Sequence, residues 1–407
     1  MKMKEALIFE TVRTAKASSE EDGGLTSIKP IELLSPLVET ILTSKNLAKS
    51  SINELIIGCA TQRQEQGCTL ALALCSSLGL DKHTASSMIS KGRASAFEAI
   101  EVTALKTIGT KAKLGLAVTV HSSSRHSDML VENMLLDDPK LYRQMSYIPL
   151  NLAADSLATM RGFSRRDLDQ YALLSHQKAS KAYQNGYFKR SLKSLRDNLD
   201  QPLLSYDELV KQNISMEDLA KVRPFYQIAD PSTLAKAYDY FDCLDKIHHF
   251  HHGGNSAPDA DAAATVLIGN KAAMKEYGLQ ARAKIRSLSF SGQKEEHPFS
   301  AQKSAVELAL QEAKLEIGDI DLFEVDEAYA ALALNFIDQF EINAEVINVN
   351  GGSIATGEAN GTTAIFMLTH LLDELERREA RLGLITQYIE HNQVQCLIIE
   401  RLGDENL

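Results

Sequence analysis

Asn348-Val349-Asn350-Gly351-Gly352-Ser353-Ile354-Ala355-Thr356-Gly357-Glu358-Ala359-Asn360-Gly361 is a glycine-punctuated stretch between apolar segments, and the order of elements around it decides the fold. Asn350-Gly351-Gly352 reads as a tight backbone turn rather than a phosphate loop, as does Gly253-Gly254-Asn255. Downstream, residues 361–377 read as a helix, with 381–386 and 395–401 as closing strands. Upstream, 304–313 reads as a helix, and 263–268 and 321–325 as buried strands.

The same alternation stands in the first part of the chain. Residues 6–9, 54–58 and 113–120 are short apolar runs of the kind buried strands use. Residues 30–42 and 94–108 carry helical spacing, the first through Ile31, Leu34, Leu37, Val38, Ile41 and Leu42. Pro30 suits a first helical position, while Pro36 either kinks this helix or marks a later start. Strand alternating with helix is the parallel α/β signature, and its return predicts an internal duplication. The expected architecture is α/β, with duplicated halves at 1–120 and 257–407 and an insertion at 121–256. Within the insertion 157–184 reads as one helix, and 200–215 as irregular polar chain. His248-His249-Phe250-His251-His252 reads as a polar loop of exposed imidazoles, because no Cys, Asp or Glu stands at metal-ligand spacing. No metal and no cofactor is expected.

Composition narrows the function classes. At 407 residues the chain exceeds the ~250–300 at which single cores stop growing. Its 54 acidic and 43 basic side chains give a formal charge of −11, which disfavours nucleic acid and anionic lipid as partners. The basic clusters 161–166 and 189–193 read as solvated faces. No run approaches the ~18–20 apolar residues of a membrane span, and the N-terminal apolar run is too short for a signal segment. Cys59, Cys68, Cys75, Cys243 and Cys396 show no C-x-x-C pairing, which fits reduced thiols in a cytoplasmic protein. Cys59 falls at a strand end, Cys68 and Cys75 on an apolar helix, and Cys396 in the last strand, all structural positions.

Seven separated segments resemble one family in order. Val12-Arg13-Thr14-Ala15, Arg93-Ala94-Ser95-Ala96-Phe97-Glu98-Ala99-Ile100 and Ser122-Ser123-Ser124 resemble three thiolase segments, the entry loop, the nucleophile segment and a serine run. Gly162-Phe163-Ser164-Arg165-Arg166-Asp167 and Ser175-His176-Gln177-Lys178-Ala179 resemble helices of the thiolase loop domain. Asn255-Ser256-Ala257-Pro258 with Asp261-Ala262-Ala263-Ala264, and Val325-Asp326-Glu327-Ala328-Tyr329-Ala330, resemble two further motifs. Together with the Asn348–Gly361 stretch they make the chain resemble a thiolase over nearly its whole length, closest to the trifunctional-enzyme β-subunit branch. The resemblance implies a thiolase-like fold with an inserted, mostly helical loop domain, acyl-CoA or CoA as ligand, and a homodimer or homotetramer.

Thiolase chemistry uses a cysteine at a helix N-terminus, where the dipole and an imidazole favour thiolate. By the resemblance that position is Arg93. The activating histidine falls at Glu358, an anion where developing negative charge needs stabilising. The second cysteine falls at Tyr388, whose ordinary pKa near ~10 makes a poor base at neutral pH. The glycines after it become Glu390, His391 and Asn392, and the water-orienting Asn or His becomes Asp326. Glu327, Asn350, Gly351, Gly352 and His391 remain as candidate cleft residues. Ala257, at the position of a pantetheine-contacting serine, and Arg223, in Leu219-Ala220-Lys221-Val222-Arg223-Pro224, are candidate substrate contacts. Arg93 facing Asp326 and Glu358 is read as an ion-pair plug.

The leading expectation is a thiolase homologue without thiolytic or condensing activity. Such a protein would serve as a binding or assembly partner, pairing with itself, with an active thiolase, or with a hydratase/dehydrogenase subunit. The alternatives are an active 3-ketoacyl-CoA thiolase or acetyl-CoA acetyltransferase of fatty-acid β-oxidation, and a non-covalent acyl-CoA enzyme using Glu358, Asp326 or His391.

Overall fold

The computed structural model describes residues 5–126, 148–196, 201–226, 244–292, 299–389 and 392–403, with 140, 235 and 238 besides. His391 and Cys243 lie outside the described residues, as does most of 226–250.

Ten strands are described: β1 Leu7–Arg13, β2 Ala17–Ser18, β3 Glu54–Gly58, β4 Ala85–Ile89, β5 Leu114–His121, β6 Ala260–Gly269, β7 Ala283–Gly292, β8 Leu322–Val325, β9 Leu382–Tyr388 and β10 Gln393–Arg401. The helices are α1 Pro30–Ser44, α2 Leu70–Leu78, α3 Ser95–Gly109, α4 Leu150–Arg161, α5 Arg165–Gln184, α6 Met216–Lys221, α7 Lys271–Tyr277, α8 Ala301–Ala313, α9 Ala330–Phe340, α10 Ser353–Thr356 and α11 Thr363–Arg377.

Nine of the strands form one path, β4-β3-β5-β6-β1-β7-β10-β9-β8, with β2 paired to β6 beside it, and this order exposes the duplication. From the centre outward one half runs β1, β6, β5, β3, β4. The other runs β7, β10, β9, β8, with a parallel bridge from Phe323 to Ile347 standing where β4 stands in the first. β1 and β7 pair only through Leu7 with Lys284 and Ile8 with Ala283, so the two halves are spliced at a short seam and diverge from it.

Three apolar cores separate the layers. One packs α1 and α2 on the first half-sheet, through Leu33, Leu37, Ile41 and Leu74 against Leu55, Ile57, Leu116 and Val118. A central core encloses α3 and α11, with Phe97, Ile100, Ile365 and Leu368 between the half-sheets. The third joins α8, α9 and the insertion helices α4 and α5 to the second half-sheet. Helices thus alternate with half-sheets, an arrangement that buries both faces of each.

Several expectations are corrected. β6, expected to open the second half at residue 257, pairs with β5 and β1 and completes the first. The topological division therefore falls between α7 and β7. The helix expected over 157–184 is two helices. Gly162 closes α4 in the left-handed region at φ 72°, and Ser164 caps α5 by accepting from the Asp167 N–H. Pro36 does not delay α1, which runs from Pro30 through it with its apolar face buried. Cys68 precedes α2 and is exposed rather than packed on it.

Gly58 lets α3 approach β3: a Cβ there would stand 2.3 Å from the Ser95 carbonyl oxygen. Gly58→Ala should therefore lower unfolding stability by about 2 kcal/mol or more, measured by urea denaturation, since backbone cannot rotate aside.

Candidate functional site

Arg93 lies where the short parallel bridge Lys91–Arg93 turns into α3. Gly92, at φ 53°, makes this turn, and the Ser95 hydroxyl closes it by donating to the Gly92 carbonyl at 2.7 Å. Gln387 Nε2 donates to the Arg93 carbonyl at 3.0 Å, fixing the turn to β9.

The guanidinium is 8% exposed, and every N–H it has is committed. Nε donates to Glu358 Oε1 at 3.0 Å, and Nη2 to the same oxygen. Nη1 and Nη2 donate to Asp326 Oδ2 and Oδ1, both at 3.1 Å, a two-pronged carboxylate contact. The remaining Nη1 proton goes to the Tyr388 carbonyl at 2.7 Å. Burial opposes the guanidinium's charge, but Asp326 and Glu358 more than offset it and raise its pKa. For Glu358 the balance runs the other way: burial raises its pKa, and the attraction of Arg93 only partly opposes this.

Both carboxylates are placed by backbone. Asp326 follows β8, its N–H donating to the Thr386 carbonyl at 3.0 Å, and its oxygens accept from the N–H groups of Ala328 and Tyr388. Glu358 follows Gly357, at φ 91°, and exchanges backbone bonds with Pro258 and Ala260. The resemblance-derived positions 93, 326 and 358 thus converge by their side chains. Tyr388 joins by its backbone alone: its hydroxyl accepts from the Asn392 N–H at 2.9 Å and its ring lies 4.5 Å from that of Phe299.

The other candidates serve neighbouring contacts. Glu327 is buried and accepts from Tyr171, Ser175, Asn348 and the Ile354 N–H, so its carboxylate is held by three side chains and one backbone group. Gly352 makes room for it, since a Cβ there would lie 2.3 Å from the Glu327 carboxyl carbon. Asn350 donates to Glu374 at 3.0 Å, and Gly351, at φ 75°, lies against the Ser175 carbonyl. Ala257 donates its N–H to the Ala328 carbonyl at 3.0 Å. Arg223 is exposed. A cavity of about 470 Å³ lies near it, lined by Lys211, Ile214, Leu219, Val222 and Gly254 among others, but by neither Arg223 nor Ala257.

The histidine run is corrected. His251 and His252 are fully buried, because carboxylates from the insertion helices draw them inward. His251 Nδ1 lies 2.8 Å and His249 Nδ1 3.1 Å from Asp155, and His252 Nε2 lies 2.7 Å from Asp169. Among the described residues no cluster of side chains is arranged to hold a metal ion.

Lys16 was not singled out by any motif. It is 2% exposed, and its Nζ donates to the Gly357 carbonyl at 2.6 Å and to Thr356 Oγ1 at 3.2 Å, immediately before Glu358. Burial lowers its pKa to about 8, only partly opposed by Asp207 and Glu358.

Comparison with known proteins agrees with this geometry at the level of fold. The family model for the thiolase N-terminal domain matches residues 6–237, and that for the thiolase C-terminal domain matches 279–401. A 3-ketoacyl-CoA thiolase of Bacillus subtilis is 29% identical over 392 residues, covering 95% of this chain and 97% of its own. A peroxisomal 3-ketoacyl-CoA thiolase B of Rattus norvegicus is 28% identical, covering 94% and 88%. The crystal structure of human mitochondrial 3-ketoacyl-CoA thiolase superposes with a TM-score of 0.83 at 22% identity, over 98% of this chain and all of that one. The chain belongs to the thiolase family.

Arg93→Ala should cost about 3 kcal/mol of unfolding stability, because it strands Asp326 and Glu358 in a buried site. Adding Asp326→Asn and Glu358→Gln should recover part of that loss in the same urea titration. Lys16 supplies a pH test. Between its folded pKa of about 8 and the ordinary lysine value of 10.5, the unfolded chain binds the extra proton, so stability rises with pH there. The stability difference between wild type and Lys16→Met should therefore shift in favour of wild type from pH 8 to 10.5, and a flat difference would contradict the assignment.

Proposed function

We propose that this thiolase-family chain acts in acyl-CoA metabolism as a binding or assembly partner rather than through cysteine-based acyl transfer. The observation that carries this is the saturated guanidinium of Arg93. A thiolase needs a thiolate and free donors at this point, and here five N–H groups are already spent on two carboxylates and a carbonyl. None of the four described cysteines is among the groups bonded to it. Cys396 is buried in β10 with its pKa raised, which suits packing rather than attack.

Self-association is part of the proposal. Among the described residues β4 is an edge strand, Ala-Ser-Ser-Met-Ile, without charge or proline to guard it, and an unguarded edge favours pairing with a second copy or with a homologous thiolase subunit. A hydratase/dehydrogenase subunit is the other partner class. Among the described residues no disulfide joins the cysteines, which fits the cytoplasmic setting proposed here. No helix among the described residues is long and apolar enough to cross a membrane.

A second reading is favoured by full-length similarity to proteins named 3-ketoacyl-CoA thiolase and by a structural neighbour solved in complex with CoA. It makes the chain an active thiolase acting on 3-ketoacyl-CoA.

The deciding measurement is thiolysis of acetoacetyl-CoA and of a long-chain 3-ketoacyl-CoA, with excess CoA, against an Arg93→Cys variant and a buffer blank. The expected rate of the natural chain is that of the blank. A rate well above it would establish the active-thiolase reading. If the rate is at blank level, saturable binding of a CoA ester would identify an acyl-CoA binder, and its absence would leave assembly as the role.

A further inference from the structure

The hydrogen-bonding capacity of the Arg93 cluster is spent on the protein itself except at two groups, and those two define what a ligand there must carry. The five guanidinium N–H groups are all committed. Asp326 Oδ1 accepts from Arg93 Nη2 and the Ala328 N–H, and Oδ2 from Arg93 Nη1 and the Tyr388 N–H, so each of its oxygens is served twice. Its side chain is also sealed, at 1% exposure. Lys16 spends its Nζ on the Gly357 carbonyl and the Thr356 hydroxyl and is buried.

Glu358 differs. Arg93 Nε and Nη2 both donate to Oε1, and among the described residues nothing donates to Oε2. The side chain is 12% exposed, and Oε2 is not a sealed atom. Tyr329, at the start of α9, is the other unspent group: among the described residues its hydroxyl has no hydrogen-bond partner. Ser256 bridges to Tyr329 and Asp259 bridges to Glu358, so one extended segment carries both groups alongside. Burial pushes the Tyr329 phenol pKa up, Arg93 opposes this and Glu358 reinforces it, which puts the hydroxyl within the field of the cluster. Its ring is held edge-to-face with that of His251 at 5.3 Å.

An entering group therefore meets one carboxyl oxygen and one phenol hydroxyl. A ketone has only lone pairs to offer: it takes the phenol proton and turns its remaining lone pairs toward a carboxylate that gains no partner. A hydroxyl both donates and accepts, so it gives its proton to Oε2 and takes that of Tyr329. It pairs with Oε2 in either protonation state of Glu358, whereas the ketone pairs only with the protonated one.

We propose that this cluster binds an acyl thioester bearing a hydroxyl on carbon 3, in preference to the 3-keto ester for which the relatives are named. The inference rests on the acyl-CoA-binder form of the function proposed above. Thiolytic attack takes place at the ketone carbon, so the position of the attacking cysteine, here Arg93, is where carbon 3 of such an ester sits. The ligand is held unchanged, with no bond formed or broken.

The test measures binding of 3-hydroxybutyryl-CoA, acetoacetyl-CoA and butyryl-CoA to the full chain by titration calorimetry, at about pH 8, well above the ordinary carboxylate range. The three esters share nucleotide, pantetheine and chain length and differ only at carbon 3. The hydroxy ester should bind at least about ten-fold more tightly than either of the others. Glu358→Gln keeps an oxygen for Arg93 and offers the ligand an amide N–H, so the keto ester should gain affinity and the preference should shrink to within about three-fold. Tyr329→Phe, an independent variant, should weaken the hydroxy and keto esters and leave butyryl-CoA unchanged. Equal affinities for the hydroxy and keto esters, or a preference that survives Glu358→Gln in a folded protein, overturn the inference and leave an acyl-CoA binder standing. Absence of binding by all three esters overturns the inference and the binder reading together.

Discussion

A guanidinium buried between two half-sheets must be neutralised and fully hydrogen-bonded, and much of this structure is arranged around that requirement. Arg93 belongs to the first half, while Asp326, Glu358 and the Tyr388 carbonyl belong to the second, 233, 265 and 295 residues away in sequence. The ion-pair cluster therefore pins the halves to each other at the N-terminus of α3. Its geometry comes from backbone placed on every side: the Gly92 turn, the end of β8, the Gly357 turn and the end of β9. One positive and two negative groups meet here, and burial raises the pKa of Glu358 against the attraction of Arg93.

Other junctions between halves and insertion use the same device. Arg282 bonds Glu10, Asp373 and Glu376 where β1, β7 and α11 meet. Arg13 pairs with Asp207, both fully buried, and stacks over Phe188 and Phe366, tying the insertion to the first half. Buried ion pairs return little net stability compared with apolar packing, but each broken one is expensive, so they favour one relative placement of the parts over others. The apolar cores supply the bulk of the stabilisation, while the ionic junctions set register between them.

The duplication matters for function because equivalent places have been put to different uses. The N-terminus of α3 holds a charged cluster, while that of α11 follows the Ala359–Thr362 turn. The edge of β1 beyond Ile8 is strapped by the insertion through Ser191 and Lys193, whereas β7 meets the start of β1 on that side. The N-terminus of α3 is thus given to an ion-pair cluster that joins the two halves.

Local sequence determined the elements. Apolar runs such as 54–58 and 113–120, and the 3.6-residue spacing in α1 and α3, report burial directly and need no distant partner to be read. The order of strands and helices carried the duplication, and the family motifs carried the meeting of Arg93, Asp326 and Glu358. What depended on contacts far apart in sequence stayed hidden. The histidine run looks polar by composition, yet Asp155 and Asp169, more than eighty residues upstream, bury two of its imidazoles. β6 reads like any buried strand, and only its pairing with β1 and β5 assigns it to the first half. Lys16 follows no motif, and only the Gly357 carbonyl above it makes it a buried amine. Periodicity encodes which faces are buried, because burial repeats with the backbone; which groups meet across the fold is a property of the packed chain, and the tertiary structure alone decided it.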